Sequence, residues 1–298
     1  MYKTGKLFIF FILILSGCFL VEDDEDDIIE NYSPGYQLIW ADNFDGPSLN
    51  PAVWTAENGT GSQYGLWDWG NNEKQFYKAE NAVVKDGILT IRVLKEQNYQ
   101  GKAYNYTSAR IQTQGKFSID GGKIEARIKL PRGRGFWPAF WLLGEAGNWP
   151  FCGEIDILEM QGGISDNAIG GTVHFGTSWE WEMRYYLSKV KTHSSALAND
   201  WHVYGFEWTP DSLRWYFDGE IFHEVNFNNL PVRDSGGKVI NMNIANLDNI
   251  KMGKKFYLLL NVAVGGDYIQ QQLPDDSVFV NPNNPDSCMQ VDWIKVWK

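Results

Sequence analysis

Residues 153–163 read Gly-Glu-Ile-Asp-Ile-Leu-Glu-Met-Gln-Gly-Gly. Three carboxylates, Glu154, Asp156 and Glu159, stand among apolar and β-branched residues, and two glycines close the run, a pattern typical of a buried strand. An ionised carboxylate that leaves water is costly unless it is paired or faces a wet cleft. The stretch therefore predicts either a structural ion-pair network or metal site, or a nucleophile and an acid/base on a strand that lines a cleft.

The geometry of a strand sets a condition on the catalytic interpretation. Side chains alternate along a strand, so Glu154 and Asp156 share a face, whereas Glu159 would point into the apolar layer. A β-bulge at Ile157–Leu158 adds one residue and returns Glu159 to the face of the other carboxylates. Two inward-leaning glutamates can then approach the carboxyl separation of retaining glycosidases, about 5–5.5 Å. We expect Asp156, which lies between them, to hydrogen-bond Glu154 and to hold it ionised.

The rest of the chain consists of short strand patterns separated by turns, without a long helical period, an internal repeat or a second domain. The clearest strand patterns cover 83–93, 116–130, 201–225, 256–264 and 289–297. Such spacing is typical of an antiparallel sandwich or barrel.

The first 35 residues differ in composition from the remainder. A basic start and an apolar run that is shorter than the ~20 residues of a membrane span predict a signal peptide at 1–17. Leu15-Ser-Gly-Cys18 resembles the lipobox of bacterial lipoproteins, which implies that Cys18 is acylated; an ordinary signal peptide and an uncleaved anchor are the alternatives. The acidic run that follows predicts a disordered tether over 18–35. We expect a lipid anchor on the bacterial cell envelope, facing outward at the outer membrane or cell surface, with the catalytic domain at 36–298.

The charge balance excludes one class of partner. Without seven acidic residues near the N-terminus and the two lysines of the signal segment, 24 basic and 30 acidic residues remain, a net charge near −6. This is not the basic footprint of a nucleic-acid-binding protein. Four histidines and three cysteines show no zinc spacing. Cys152 and Cys288 suffice for one disulfide in a secreted protein, but sequence alone does not show that they are close enough.

The Glu-Ile-Asp-Ile-Leu-Glu stretch resembles the catalytic signature of glycoside hydrolase family 16, in its bulged, laminarinase-like form. Further segments occur in the order that the family shows: Trp69-Gly-Asn-Asn-Glu73, Thr107-Ser-Ala-Arg110, Gly135-Phe-Trp-Pro-Ala-Phe-Trp141, Thr172-Val-His174, Tyr204-Gly-Phe-Glu-Trp208, Asn261-Val-Ala-Val-Gly-Gly266 and Val291-Asp-Trp-Ile-Lys-Val296. The resemblance covers roughly 36–298. It implies an all-β jelly-roll sandwich of two curved antiparallel sheets with a concave substrate cleft.

The resemblance also implies an activity. Glu154 would be the nucleophile and Glu159 the acid and base, while repulsion with Asp156 would separate the glutamate pKa values and keep Glu159 protonated. We expect a monomeric, retaining endo-β-glucan hydrolase, most similar to endo-1,3-β-glucanases, that needs no cofactor for catalysis. The alternatives are a mixed-linkage β-1,3-1,4-glucanase, a galactan hydrolase of the agarase or carrageenase type, a transglycosylase and a non-catalytic glycan-binding lipoprotein.

Other residues match positions at which the family binds sugar. Trp137 and Trp141 share a strand face and are expected to be sugar platforms, with core packing as the alternative. His174 is expected in the cleft near the leaving group, although a lone histidine is more often a core residue. Trp69 is expected at the cleft rim, and Asn72 and Arg110 at polar sugar contacts.

Family members often hold one structural calcium ion on the convex face. The resemblance implies Asp292 as the side-chain ligand and Asn43 and Gly87 as carbonyl donors, and hard oxygen ligands of this kind suit calcium.

Overall fold

The structure is a computed structural model that describes residues 35–96, 104–176, 184–228, 248–281 and 284–298, with the backbone of 231–233 and 239–241. Residues 36–298 form one compact unit. The signal peptide, the Cys18 acylation site and all of the proposed tether except Gly35 lie outside the described residues. Within the described part, no helix is long and apolar enough to cross a membrane.

The described elements are short strands and single 3₁₀ turns. The strands are β1 (Leu38–Asp42), β2 (Thr55–Ala56), β3 (Gln75–Tyr77), β4 (Ala82–Lys85), β5 (Ile88–Arg92), β6 (Leu94–Lys95), β7 (Tyr106–Ser108), β8 (Arg110–Gln112), β9 (Ser118–Ile119), β10 (Gly122–Lys129), β11 (Phe136–Gly144), β12 (Glu154–Glu159), β13 (Ala168–Gly176), β14 (Arg184–Thr192), β15 (His202–Trp208), β16 (Ser212–Phe217), β17 (Glu220–Asn226), β18 (Pro231–Arg233), β19 (Val239–Asn241), β20 (Phe256–Val264) and β21 (Cys288–Trp297). The 3₁₀ helices are Ser62–Tyr64, Asp68–Gly70, Ala79–Asn81, Leu197–Asn199, Asp267–Ile269, Asp276–Phe279 and Pro285–Ser287.

Two large antiparallel sheets contain most of these strands. The back sheet has the order β17-β16-β15-β10-β21-β5-β4, with β1 also paired to β21. The front sheet has the order β19-β18-β14-β13-β12-β11-β20-β8-β2, with β9 also paired to β20. A third, small sheet has the order β3-β7-β6. The predicted jelly-roll sandwich is confirmed, and the carboxylate strand β12 lies inside the front sheet.

Alternation along the strands separates the core from the functional face. In β20, Leu258, Leu260 and Val262 belong to the buried hydrophobic core, whereas Asn261 points to the opposite face. The same period in β11 puts Phe140 into the core and leaves its neighbour Trp141 outside. The front sheet therefore packs one face against the back sheet and presents the other, here called the carboxylate face.

Local sequence signals position the hairpins as expected. Asp86 and Gly87 both have positive φ, 53° and 75°, and join β4 to β5 in a two-residue turn. Cys152 and Cys288 are free, buried thiols, so the disulfide considered from the sequence does not form.

Candidate active site

β12 contains the bulge on which the catalytic interpretation depends. On one side, Asp156 pairs with Thr172 and Glu159 with Gly170, so two residues of β12 face only Gly171 of β13. Pairing with β11 shifts at the same place. Ile157 and Leu158 both belong to the buried core, as expected for consecutive residues across a bulge. The bulge therefore returns Glu159 to the carboxylate face.

The carboxylates occupy successive rows across the front sheet. Glu154 is paired with His174, and Asp156 lies between Thr172 and Trp141. Glu159 lies between Gly170 and Ala139. Because cross-strand partners share a face, this register places His174 and Trp141 on either side of the carboxylates.

Each glutamate has a different set of polar contacts. Trp137 donates its indole N–H to Glu159 Oε1 at 3.0 Å. His174 Nε2 lies 3.8 Å from Glu154 Oε1 and 3.4 Å from Asp156 Oδ2. Asp156 Oδ2 is buried and has no hydrogen-bond partner among the residues that the structure describes. We find no hydrogen bond between Asp156 and Glu154 among the described residues, contrary to expectation, and His174 is the group that approaches Asp156 Oδ2.

Burial dominates the electrostatics of the site. It raises the pKa of Glu154 to about 8, with a further increase from repulsion by Asp156 and an opposing effect of His174. Burial alone raises the pKa of Asp156 to about 8. The pKa of Glu159 is also raised to about 8 by burial and by Asp156, although the Trp137 hydrogen bond and His174 oppose the shift. Desolvation acts on all three groups, and it therefore favours the protonated form of each carboxyl.

On the β11 side, a stacked arrangement fixes the aromatic wall. The Arg110 guanidinium lies over two indole rings, 4.6 Å from the ring centroid of Trp69 and 4.7 Å from that of Trp141. Glu57 pairs with Arg110, Oε2 to Nε at 3.2 Å. Trp141 donates its N–H to Asn261 Oδ1 at 2.8 Å. Trp141 thus lies on the carboxylate face, half-buried and held in one orientation, as the platform interpretation requires.

Trp69 does not occupy the rim position expected from the sequence. It is 5% exposed and packs edge-on against Tyr77 at 5.2 Å. Asp68 and Trp69 both adopt left-handed backbone conformations, φ 45° and 57°, which turn the indole inward under Arg110. The exposed aromatic of this loop is Trp67, with 79% of its surface accessible.

Asn72 joins two loops beside the site. Its side-chain amide donates to Asp267 Oδ2 at 2.8 Å, and Asp267 N donates to Asn71 O at 2.8 Å. The next residue, Tyr268, packs against Trp137 with ring centroids 4.8 Å apart. Asn72 is exposed, which agrees with a position at the edge of the site.

Two aromatic residues that sequence reasoning missed lie on the β13 side. Trp149 and Tyr186 flank His174, with ring centroids 6.2 Å and 6.0 Å from the imidazole. His174 lies beside Glu154 and Asp156, on the carboxylate face, and its expected place near the leaving group stays a prediction. Tyr186 is the cross-strand partner of His174 and is 47% exposed. Tyr186 reaches His174 through the pairing of β13 with β14. Because β14 contains no catalytic motif, nothing in the sequence indicated this position.

A buried carboxylate, Glu73, supports the aromatic wall. It accepts hydrogen bonds from Gln75 at 2.6 Å and Tyr77 at 3.3 Å, and burial raises its pKa. The Tyr77 hydroxyl accepts from Asn261, which also accepts from Trp141. A continuous chain of hydrogen bonds thus leads from Glu73 to Trp141. The segment Trp69-Gly-Asn-Asn-Glu73 is identified from the sequence, but this supporting role for Glu73 is not predicted from it.

The residues that the resemblance implies for calcium are separate from the carboxylate face. Asp292 belongs to β21 of the back sheet, whereas the three carboxylates belong to β12 of the front sheet. Asp292 Oδ2 pairs with Arg127 Nη1 at 2.5 Å. A Cβ atom built on Gly87 would lie 3.9 Å from the Asn43 carbonyl oxygen, so these two backbone segments are adjacent. The oxygen donors suit calcium, but the ion would share the Asp292 carboxylate with a guanidinium. Among the described residues, the side chains grouped closely enough to hold a metal ion are Glu154, Asp156 and His174, within 4.8 Å of one another.

Comparisons with known proteins show which family the chain resembles. The profile described as "Glycosyl hydrolases family 16" matches residues 70–245. The chain is 33% identical over 279 residues to glucan endo-1,3-beta-glucosidase A1 of Niallia circulans, a match that covers 89% of this chain and 38% of that protein. It is 32% identical over 305 residues to a beta-glucanase of Rhodothermus marinus, covering 97% of this chain and 93% of the relative.

The fold has solved counterparts. The X-ray structure of the endo-beta-1,3-glucanase from Pyrococcus furiosus matches with a TM-score of 0.71 and 34% identity, covering 88% of this chain and 94% of that one. Since the family profile spans more than half of the sequence, and a relative about one third identical is covered almost from end to end, the chain belongs to glycosyl hydrolases family 16.

Proposed function

We propose that this chain is a retaining endo-β-glucan hydrolase that cleaves internal β-1,3 linkages. The observation that carries the proposal is the bulge in β12, which places Glu154, Asp156 and Glu159 on one face of the front sheet. Aromatic side chains border that face on both sides, as a polysaccharide that crosses the strands would require. The names of the Niallia, Rhodothermus and Pyrococcus relatives support a β-glucan as the substrate.

The mechanism follows from the positions of the two glutamates. Ionised Glu154 attacks the anomeric carbon, and Glu159 gives its proton to the leaving glycosidic oxygen, so that a glycosyl-enzyme ester forms as the chain breaks. Glu159, now a carboxylate, takes a proton from water, whose oxygen attacks the same carbon and releases Glu154. Two inversions at one carbon retain the β configuration.

Burial prepares Glu159 for the first step. A pKa near 8 keeps this carboxyl protonated at neutral pH, where an ordinary glutamate would be ionised. Glu154 must lose its proton to attack. Arg110 favours the ionised form of Glu154, whereas His174 favours ionisation of both glutamates. Asp156 lies between the two glutamates, and its charge when ionised raises the pKa of both, so we assign it to tuning their ionisation.

Digestion of laminarin, lichenan, agarose and carrageenan, followed by sizing of the products, tests the proposal. We expect a ladder of oligosaccharides from laminarin, and none from laminarin treated with the Glu154→Gln variant. Cleavage of lichenan with laminarin untouched would indicate a mixed-linkage enzyme, and activity on a galactan alone would refute the β-glucan assignment. Binding to laminarin without release of any product would support the glycan-binding alternative.

We also propose that the domain is anchored through acylated Cys18 and carries a calcium ion held by Asp292 with the Asn43 and Gly87 carbonyls. The lipobox-like segment supports the first proposal, and the adjacency of Asn43 and Gly87 supports the second.

A further inference from the structure

One contact between the two sheets reaches the bulge from behind. Trp215 belongs to β16 of the back sheet and is fully buried. Its indole N–H crosses the core and donates to the backbone carbonyl of Asp156 at 2.8 Å. Asp156 is the last residue of β12 before the ladder with β13 is interrupted.

The bulge creates the need for this donor. Between Asp156 and Glu159 two residues of β12 face one residue of β13, so the ladder cannot satisfy every backbone group there. A buried carbonyl without a hydrogen-bond partner is destabilising. The Trp215 N–H therefore satisfies a carbonyl that an unbulged strand would pair within the sheet.

The indole ring is confined to one position. His223 stacks on it with a centroid distance of 4.5 Å and an interplanar angle of 20°. Gly171, the residue opposite the bulge, also packs against the indole, because a Cβ atom there would come within 2.7 Å of Trp215 Cδ1. His223 Nδ1 also contacts the Gly171 carbonyl at 3.1 Å, and burial lowers the His223 pKa to about 4, so a neutral ring donates from Nδ1. Both strands that meet at the bulge are thus fixed from the back sheet.

The position of the bulge in the sequence decides which catalytic group depends on it. Glu154 precedes the bulge and is held by regular pairing with His174. Glu159 follows the bulge and reaches the carboxylate face through it. A shift of the Asp156 carbonyl would therefore move Glu159 relative to Glu154 and would leave the nucleophile in place.

We propose that Trp215 is a positioning residue for the hydrolysis proposed above: its N–H holds the bulge of β12 in the geometry that aims Glu159 at the leaving group. The inference rests on the proposed function, but the contact also predicts a structural effect that does not depend on activity. The hydrogen bond of Trp215 is to the Asp156 backbone carbonyl, so it acts on the site through the backbone.

The chain provides a matched control in Trp208, on the adjacent strand β15. Trp208 is also buried, at 1% exposure, but within the described part of the chain its indole N–H has no hydrogen-bond partner. Trp215→Phe and Trp208→Phe therefore remove the same atoms from the same sheet, and only the first removes a hydrogen bond. Each variant is compared with the wild type on laminarin and on a dinitrophenyl β-laminaribioside, whose activated leaving group needs no proton from Glu159.

We expect Trp215→Phe to lower kcat on laminarin by about 10-fold to 100-fold, the scale of a misplacement of roughly 1 Å, with KM within about two-fold. On the activated substrate we compare kcat/KM, which reports the glycosylation step. The loss of kcat/KM in Trp215→Phe should be several-fold smaller there than on laminarin. Trp208→Phe should stay close to the wild type on both substrates. Equal losses on both substrates, or equal effects of the two variants, would overturn the proposal.

Amide hydrogen exchange of a peptide that covers β12 gives the second readout. Trp215→Phe should raise exchange there relative to Trp208→Phe, and unchanged exchange would count against the hydrogen bond as the support of the bulge. If Trp215→Phe fails to fold, site-specific benzothienylalanine at position 215 keeps the bicyclic shape and replaces the N–H by sulfur. A wild type that cleaves neither substrate would refute the proposed function, while the exchange comparison would still test the contact.

Discussion

The substitution Trp137→Phe removes the hydrogen bond that Trp137 donates to Glu159 and keeps an aromatic ring at that position. Trp137 donates to Glu159 Oε1 at 3.0 Å, and this bond favours the ionised carboxylate and lowers its pKa. Phenylalanine keeps a ring beside Tyr268 and removes the donor. The pKa of Glu159, already raised by burial, should therefore rise further.

The size of this shift follows from the contact. A hydrogen bond to a charged group contributes about 1.5–3 kcal/mol, and one pKa unit corresponds to about 1.4 kcal/mol. The full loss would be about one to two units. Water that enters the vacated space can replace part of the bond, so we expect about half a unit to one unit.

The assay is the pH dependence of kcat/KM on laminarin. Its basic limb reports loss of the proton from Glu159, because only the protonated acid can assist the leaving group. A higher pKa keeps this proton to higher pH, so the limb of Trp137→Phe should move toward alkaline pH. Trp141→Phe is the control, since the Trp141 N–H donates to Asn261 and not to a carboxylate. An unmoved limb, a shift toward acid pH, or the same shift in both variants would refute the assignment.

Three further predictions concern the platform, the metal and the anchor. Trp141→Ala should raise KM for laminarin by roughly 2-fold to 10-fold, since an aromatic face contributes about 0.5–1.5 kcal/mol beyond its buried area; a lower melting temperature with unchanged KM would show that it serves packing. Chelation with EDTA should lower the melting temperature of the wild type and leave Asp292→Asn unchanged, whereas equal responses would exclude calcium at Asp292. Cys18→Ala should release the protein from the membrane fraction after a salt wash, and a variant that still sediments with membranes would contradict acylation.

The parts of the site that obey strand periodicity were predictable from the sequence. Carboxylates at positions 154, 156 and 159 cannot all share a face in a regular strand, because the last spacing is odd. This conflict predicted the bulge at Ile157–Leu158, where the structure has it. The spacing of Trp137 and Trp141 placed them on the face where they lie. Both positions are fixed in the structure because the apolar residues between them are buried in the core.

The remaining features depend on contacts between distant segments. The inward turn of Trp69 requires left-handed backbone at non-glycine residues, which local sequence does not indicate. Tyr186 joins the site through strand pairing, and Trp215 reaches the bulge across the core from 59 residues away. The raised pKa values of the three carboxyls also follow from burial in the folded sheet, which charge spacing along the chain does not reveal.

The configuration of the first-formed product tests the central claim most directly. If Glu154 forms a covalent intermediate that water then resolves with help from Glu159, the new reducing end must keep the β configuration. Proton NMR, recorded as laminarin is cleaved and before mutarotation equilibrates the anomers, should show the β-anomer signal rising first. An initial α-anomer would demonstrate single displacement, and Glu154 could then not be the nucleophile.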